Sequence, residues 1–243
     1  APGYLGDFVI IDNFNDFNIE MVFKRGELMY DGQLRDFPTP EIDPYLVKRA
    51  HDTFHLTKLT AEDFKDGRPH AIIGLVPGEI ISEDAGYIDH IDVEYDILKV
   101  AVIERHKNTH HIGLGYIKGY GLKSGAVATS ISHDSHNIIV VGTNEEEMAA
   151  AANRIVENHG GITVMENGNV LGEVTLAIAG IMSDDPLVMV NSALESAKDE
   201  AFRLGVSRDI DPFMTLSFMA LPVIPTLRIT TRGVFDVTTQ SYV

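Results

Sequence analysis

The chain contains no cysteine and no tryptophan. Without thiols, disulfides, thiolate zinc sites, iron–sulfur clusters and cysteine nucleophiles are all excluded. Basic residues are scarce as well: 19 Lys and Arg stand against 36 Asp and Glu, a formal charge of −17 over 243 residues. Such a field repels phosphate backbones and anionic lipid headgroups, so neither nucleic acid nor a membrane is expected as a partner. Long apolar runs are missing. Ala71–Val76 and Leu176–Ile181 are the longest candidates, strand-sized against the about 20 residues of a membrane-spanning helix. Ala1-Pro2-Gly3 has neither the basic region nor the apolar stretch of a secretory signal, and a cytoplasmic location is expected. The first residue is not Met, which fits a processed protein or a piece of a longer one. Three catalytic signatures are also absent. There is no Gly-x-Ser-x-Gly and no His-Glu-x-x-His, and Lys123 follows Leu122 where a phosphate loop needs Gly.

What remains is ordinary globular material, 44% hydrophobic and 23% charged. Asp7–Asp12, Ile19–Phe23 and Leu28–Tyr30 read as three short strands, the last two joined by a turn at Gly26. So small a sheet cannot bury its own apolar face, so residues 1–36 are expected to be part of a larger β layer. Pro38, Pro40 and Pro44 then mark a linker over 37–44. The expected domains are therefore 1–36 and 45–243.

In the larger domain, Tyr45–Phe54 and Thr60–Phe64 suit short helices, and Ala71–Val76 and Lys99–Glu104 suit strands. Glu79–Asp96 is rich in carboxylates and holds no Lys or Arg, which suits a solvated loop or edge hairpin. The glycines of Gly113–Gly125 suggest a short helix over Leu114–Tyr120 that stops at Gly121. Ala126–Ser132 and Asn137–Gly142 read as strands. Thr143, with Glu146 three residues on, reads as the cap of a helix running to about His159. Asn167-Gly168 marks a hairpin between Ile162–Glu166 and Val170–Ala177. Asp184 or Asp185 with Pro186 opens a long helix that ends at Gly205, and Ile229–Val237 closes the chain as a strand pair. Strands and helices mixed in this way, partly through hairpins, point to the α+β class with a mixed sheet.

The densest chemistry is Ser130-Ile131-Ser132-His133-Asp134-Ser135-His136-Asn137, set between two apolar strands. In a regular strand His133 and His136 would point to opposite faces; in a turn they can converge. Two imidazoles and a carboxylate suit a divalent metal or general acid–base work. They also suit a polar turn in which Asp134 and Asn137 bond the backbone. His133, Asp134 and His136 are the candidate catalytic residues. Ser132, Ser135 and Asn137 are candidates for substrate binding or support. His110-His111 reads as a solvated loop pair, Ser183-Asp184-Asp185 as a helix start, and Arg228 and Arg232 as ordinary surface charge. Met214, Phe218 and Met219 read as core.

Pro2–Asp12, followed by Val22–Leu28, resembles the segment after the catalytic barrel of the amidohydrolase superfamily, where the chain returns to a small β-sandwich. Ala128–Asn137, Gly142-Thr143-Asn144, Gly160-Gly161, Gly180–Asp184 and Phe218–Pro225 are similar to the C-terminal domain of the bacterial adenine deaminase family. The resemblance spans nearly the whole chain. It implies hydrolysis of adenine to hypoxanthine and ammonia, with a divalent metal (manganese or iron) held mainly by a barrel that this chain lacks. It also implies that barrel as a partner domain and a homo-oligomer as the assembly. The barrel's His-x-His pattern occurs nowhere in these residues, so no metal ligand is assigned here and the chain alone is expected to be inactive. The alternative reading is a free-standing, non-catalytic module that binds a purine or a metal through His133, Asp134 and His136.

Overall fold

The computed structural model describes residues 1–36 and 40–243. Phe37, Pro38 and Thr39, where the expected linker opens, lie outside the described residues. The described residues divide into two compact units, Ala1–Pro44 and Tyr45–Val243.

In the first unit, β1 (Phe8–Ile11), β2 (Ile19–Lys24) and β3 (Glu27–Tyr30) form an antiparallel sheet in the order β1-β2-β3. Arg25 and Gly26 both have positive φ, 54° and 81°, as the tight turn between β2 and β3 requires. The Asp12 carboxylate accepts from the backbone of Asn13 and Asn18 and closes the longer β1–β2 connection. No described residue of this unit is buried. Phe8, Val9, Ile10 and Ile19 all stay exposed. Three short strands have nothing to close a core against.

The second unit opens with α1 (Pro44–His51), all but its first residue, and a 3-10 turn, Ala61–Phe64, where Thr60 and Asp63 exchange capping bonds. There follow β4 (His70–Leu75), β5 (Ser82–Ile88), β6 (Ile97–Ile103), β7 (Ile112–Lys118), β8 (Ala126–Thr129), β9 (Ile138–Gly142), α2 (Glu145–Glu157), β10 (Gly161–Glu166), β11 (Asn169–Thr175), α3 (Leu187–Arg203) and α4 (Pro212–Met219). β12 (Leu227–Thr230), β13 (Gly233–Asp236) and β14 (Ser241–Tyr242) form a small antiparallel sheet. The main sheet runs β11-β10-β8-β9-β6-β7-β4-β5. Its one parallel pair is β4 with β7, so the unit is α+β with a mixed sheet.

Side-chain alternation divides this sheet between two cores. Val100, Val102, Ile139, Val141, Ile162 and Val164 face α3, α4 and the small sheet. Ala101, Ile103, Ile138, Val140, Ala126 and Ala128 face α2 and Phe64. Because both faces are covered, the central strands read as continuous apolar runs even though most of their pairings are antiparallel. Lys99 is buried among them, and its ammonium meets Glu145 at 2.5 Å and the Phe64 carbonyl at 3.0 Å. That pair fastens β6 to the first turn of α2.

Several expectations are corrected. Leu114–Tyr120 is not helical: most of it is strand β7. Its glycines serve packing, since a Cβ on Gly113 would lie 1.8 Å from the Thr230 carbonyl and one on Gly115 2.6 Å from Val234. The cap of α2 is Asn144, whose side chain accepts from Glu147 N at 2.8 Å, rather than Thr143. Thr143 bonds the Gly125 carbonyl instead. Arg228 is buried, with its guanidinium on the carbonyls of Ile80, Pro225 and Leu227 and the hydroxyl of Ser82. Met214 is exposed on α4, a mostly apolar helix, interrupted by Thr215 and Ser217, whose sequence carries no period to announce it. Among the described residues no helix is long and apolar enough to cross a membrane.

Candidate functional site

The link from β8 to β9 is built from its first residue upward. Ser130, wholly buried, donates its backbone N–H to the Gly161 carbonyl at 2.9 Å. Its hydroxyl donates to the Gly180 carbonyl at 2.5 Å and accepts from Gly161 N at 2.8 Å. Gly161 can lie this close only without a side chain, because its φ is +134° and a Cβ would fall 1.9 Å from the Val174 carbonyl. His133 N donates to the Ser217 carbonyl of α4 at 3.3 Å, and His136 N to the Ser132 carbonyl at 2.7 Å, which closes the turn. The outgoing carbonyls are held from the end of β6: Arg105 Nε donates to the His136 carbonyl, and His106 Nε2 lies 2.8 Å from that of Ser135.

This frame brings His133, Asp134, Ser135 and Asn137 to one cavity of about 330 Å³. Its other lining comes from Ala220–Val223 after α4, Ile229–Thr231 in and after β12, and Val102 of β6. The His133 ring packs against Phe218 with centroids 5.0 Å apart, and its Nδ1 lies 4.0 Å from an Asp134 oxygen. The Asp134 carboxylate is almost fully exposed. Ser132 and His136 are not among the residues lining the cavity. Ser132 is buried beneath the turn. Burial first, then the charges of Arg105, His133 and His106, holds the His136 imidazole below its ordinary value, with Asp134 acting against them. His136 is therefore largely neutral at pH 7.

Four buried polar atoms gather here without a hydrogen-bond partner among the described residues: Ser132 Oγ, His136 Nδ1, Asn137 Oδ1 and Ser217 Oγ. Buried groups are rarely left so, and each orphan costs about 1–3 kcal/mol. The turn is thus held rigidly by its backbone while its side chains keep unused bonding capacity. Among the described residues, no group of three His, Asp or Glu is placed to hold a metal ion. His133, Asp134 and His136 do not fit one. The arrangement offers a partly exposed imidazole–carboxylate pair beside an apolar cavity, suited to orienting a polar, planar molecule.

Sequence reasoning missed Arg105, His106 and Ser217. A single Arg at the end of an apolar strand carries no signal, because the carbonyls that it binds come from distant segments.

A family model described as the adenine deaminase C-terminal domain matches residues 79–241. The chain belongs to that family. It is 40% identical over 254 residues to an adenine deaminase of Petrotoga mobilis, with all of this chain and 44% of the relative covered. It is 41% identical over 247 residues to adenine deaminase 1 of Rhizobium johnstonii, covering 98% of this chain and 42% of the relative. The adenine deaminase of Lysinibacillus sphaericus is 37% identical over 254 residues, with 100% and 43% covered. The chain therefore spans less than half the length of the curated relatives it matches. These matches do not favour a free-standing purine- or metal-binding module. The domain's matched span contains the whole of the His133–Asn137 turn and all the cavity walls.

Proposed function

We propose that this chain is the C-terminal part of an adenine deaminase that hydrolyses adenine to hypoxanthine and ammonia, and that the His133–Asn137 turn borders that enzyme's active site. In the overall reaction water adds at the purine carbon bearing the amino group, the carbon–nitrogen bond breaks, and ammonia leaves. The divalent metal of the amidohydrolase scheme, manganese or iron, belongs to the part of the enzyme outside this chain, and no step is assigned to it here. What these residues supply is position. His133, packed on Phe218 beside Asp134, offers hydrogen bonds at the rim of an otherwise apolar cavity, and the His136 N–H closes the turn on the Ser132 carbonyl.

One observation carries this reading. Two of the segments that resemble the family, His133–Asn137 and Ala220–Val223, lie far apart in sequence yet both contribute lining to one cavity, inside the span that matches the domain. The sheet β1–β3 fits the same picture. Its unburied apolar strands suit the end of a larger β-sandwich completed by the rest of the enzyme, or self-association into a homo-oligomer.

Two measurements test the proposal. This chain alone, with manganese added, is expected to release no hypoxanthine; sustained release would refute the need for the missing part. In the full-length enzyme, His133→Ala and His136→Ala are expected to lower turnover or metal content while the fold stays intact. Normal activity and metal content in both would reduce the turn to a structural one.

A further inference from the structure

Arg105 is 1% exposed and forms no ion pair among the described residues. Its donors go instead to three segments distant in sequence. Nε donates to the His136 carbonyl, Nη1 to the Thr53 carbonyl at 2.8 Å and its hydroxyl at 3.2 Å, and Nη2 to the Ala179 carbonyl at 2.9 Å. The Phe54 ring lies 4.2 Å from the guanidinium carbon. Gly180 makes the room beside both groups, since a Cβ there would come within 2.8 Å of Nη2 and 3.0 Å of the Phe54 ring. Gly180 also accepts from the Ser130 hydroxyl. Both ends of the turn are therefore moored to the same 179–180 segment, one through Ser130 and one through Arg105.

Burying a cation with no carboxylate in ion-pair contact is expensive, and the charge of the neighbouring Glu104 offsets the burial only in part; an apolar side chain would fill the space without that cost. A planar guanidinium spreads its donors in a fixed fork toward three separate carbonyls, a geometry that neither an apolar side chain nor the single ammonium of a lysine reproduces. Glu104 next to it accepts from the backbone of His106, Lys107 and Thr109, which stiffens the strand end from which Arg105 projects.

We propose that Arg105 is the positioning residue of the His133–Asn137 turn: by gripping the His136 carbonyl against the 53 and 179 segments, it fixes how the turn presents its side chains to the cavity. Arg105 does not line the cavity, so it acts through the turn. The functional weight of the proposal rests on the reading of the turn given above.

Arg105→Lys and Arg105→Met in this chain test it by NMR. Loosening should raise amide exchange at His133 and His136, whose N–H groups close the turn, by about tenfold or more relative to β6 and β9. His136 faces the cations Arg105, His133 and His106 and the anion Asp134, so Arg105→Met should also move its titration up toward the ordinary histidine value. Arg105→Lys, which keeps a charge, should move it less. Unchanged exchange and unchanged titration in both variants would overturn the proposal. So would collapse of the sheet in both, since Arg105 would then be a strut of the whole unit. If Arg105→Met alone fails to fold, exchange in Arg105→Lys decides. In the full-length enzyme, Arg105→Lys should reduce kcat more than it changes KM. A loosened turn with normal turnover would uphold the grip of Arg105 and refute the role of the turn in catalysis.

Discussion

Ser130 and Ser132 are both wholly buried hydroxyls in the same short link, and their replacement by Ala should have opposite effects. Ser130 Oγ satisfies Gly161 N at 2.8 Å and donates to the Gly180 carbonyl at 2.5 Å. Gly161 is itself buried, so Ser130→Ala leaves its N–H without a partner. An orphaned buried donor costs about 1–3 kcal/mol, and the Gly180 carbonyl loses a bond as well, so a loss of about 2 kcal/mol is expected. In a unit of this size that lowers Tm by roughly 4–8 °C. Ser132 Oγ has no partner to lose. Ser132→Ala removes a buried polar group that contributes nothing and should be neutral or stabilising by up to about 1 kcal/mol. Urea or thermal unfolding of the two variants measures the difference directly, with amide exchange at Gly161 as the local check. If Ser132→Ala destabilises as much as Ser130→Ala, or if Gly161 stays protected in Ser130→Ala, this accounting of the turn's bonds is wrong.

Two further outcomes follow from the fold. Gly113→Ala drives a Cβ to 1.8 Å from the Thr230 carbonyl and 2.4 Å from Gly233 N; it should cost about 3 kcal/mol or more by pushing β12 and β13 off the sheet, visible as a drop in the urea midpoint. For Asp66, burial pushes its carboxyl up, but the bonds from His70 and Arg68 outweigh this and bring it down to about 2. A depressed carboxylate stabilises the fold fully above its ordinary value of 3.8 and loses that contribution as pH falls through about 2. Wild type should therefore lose about 1–2 kcal/mol more than Asp66→Asn between pH 5 and pH 2, after allowing for partial exposure; equal acid sensitivity in urea titrations would refute the assignment.

Most of the element order could be read from patterns that are local. The hairpin at Asn167-Gly168 follows from two adjacent residues of positive φ, 51° and 72°. The long helix starts beside Pro186 as the sequence suggests, but Pro186 itself is its N-cap, with no side-chain hydrogen bond, in place of the expected cap by Asp184 or Asp185. The reading failed where a residue answers to something remote. Gly113 and Gly115 lay just before and within an expected short helix over Leu114–Tyr120, yet they are strand residues kept bare by β12 and β13, more than a hundred positions away. Arg228 looked like surface charge because nothing near it in sequence shows the carbonyls that wrap it. α4 is mostly apolar, and no period distinguishes it from a buried strand.

The same division holds at the candidate site. That Ser132–Asn137 concentrates imidazole, carboxylate, hydroxyl and amide groups between two apolar strands is a property of the sequence alone, as is the shortage of positive charge that argues against nucleic acid. Which of those groups share a cavity was decided only in three dimensions. His133 and Asp134 open onto it because His133 packs on Phe218 of α4, whereas His136 is drawn under the turn, where its carbonyl meets Arg105. Composition and short-range pattern register the backbone preferences of neighbouring residues. The grip of a buried guanidinium on three separate segments exists only once the sheet has brought them within hydrogen-bond reach.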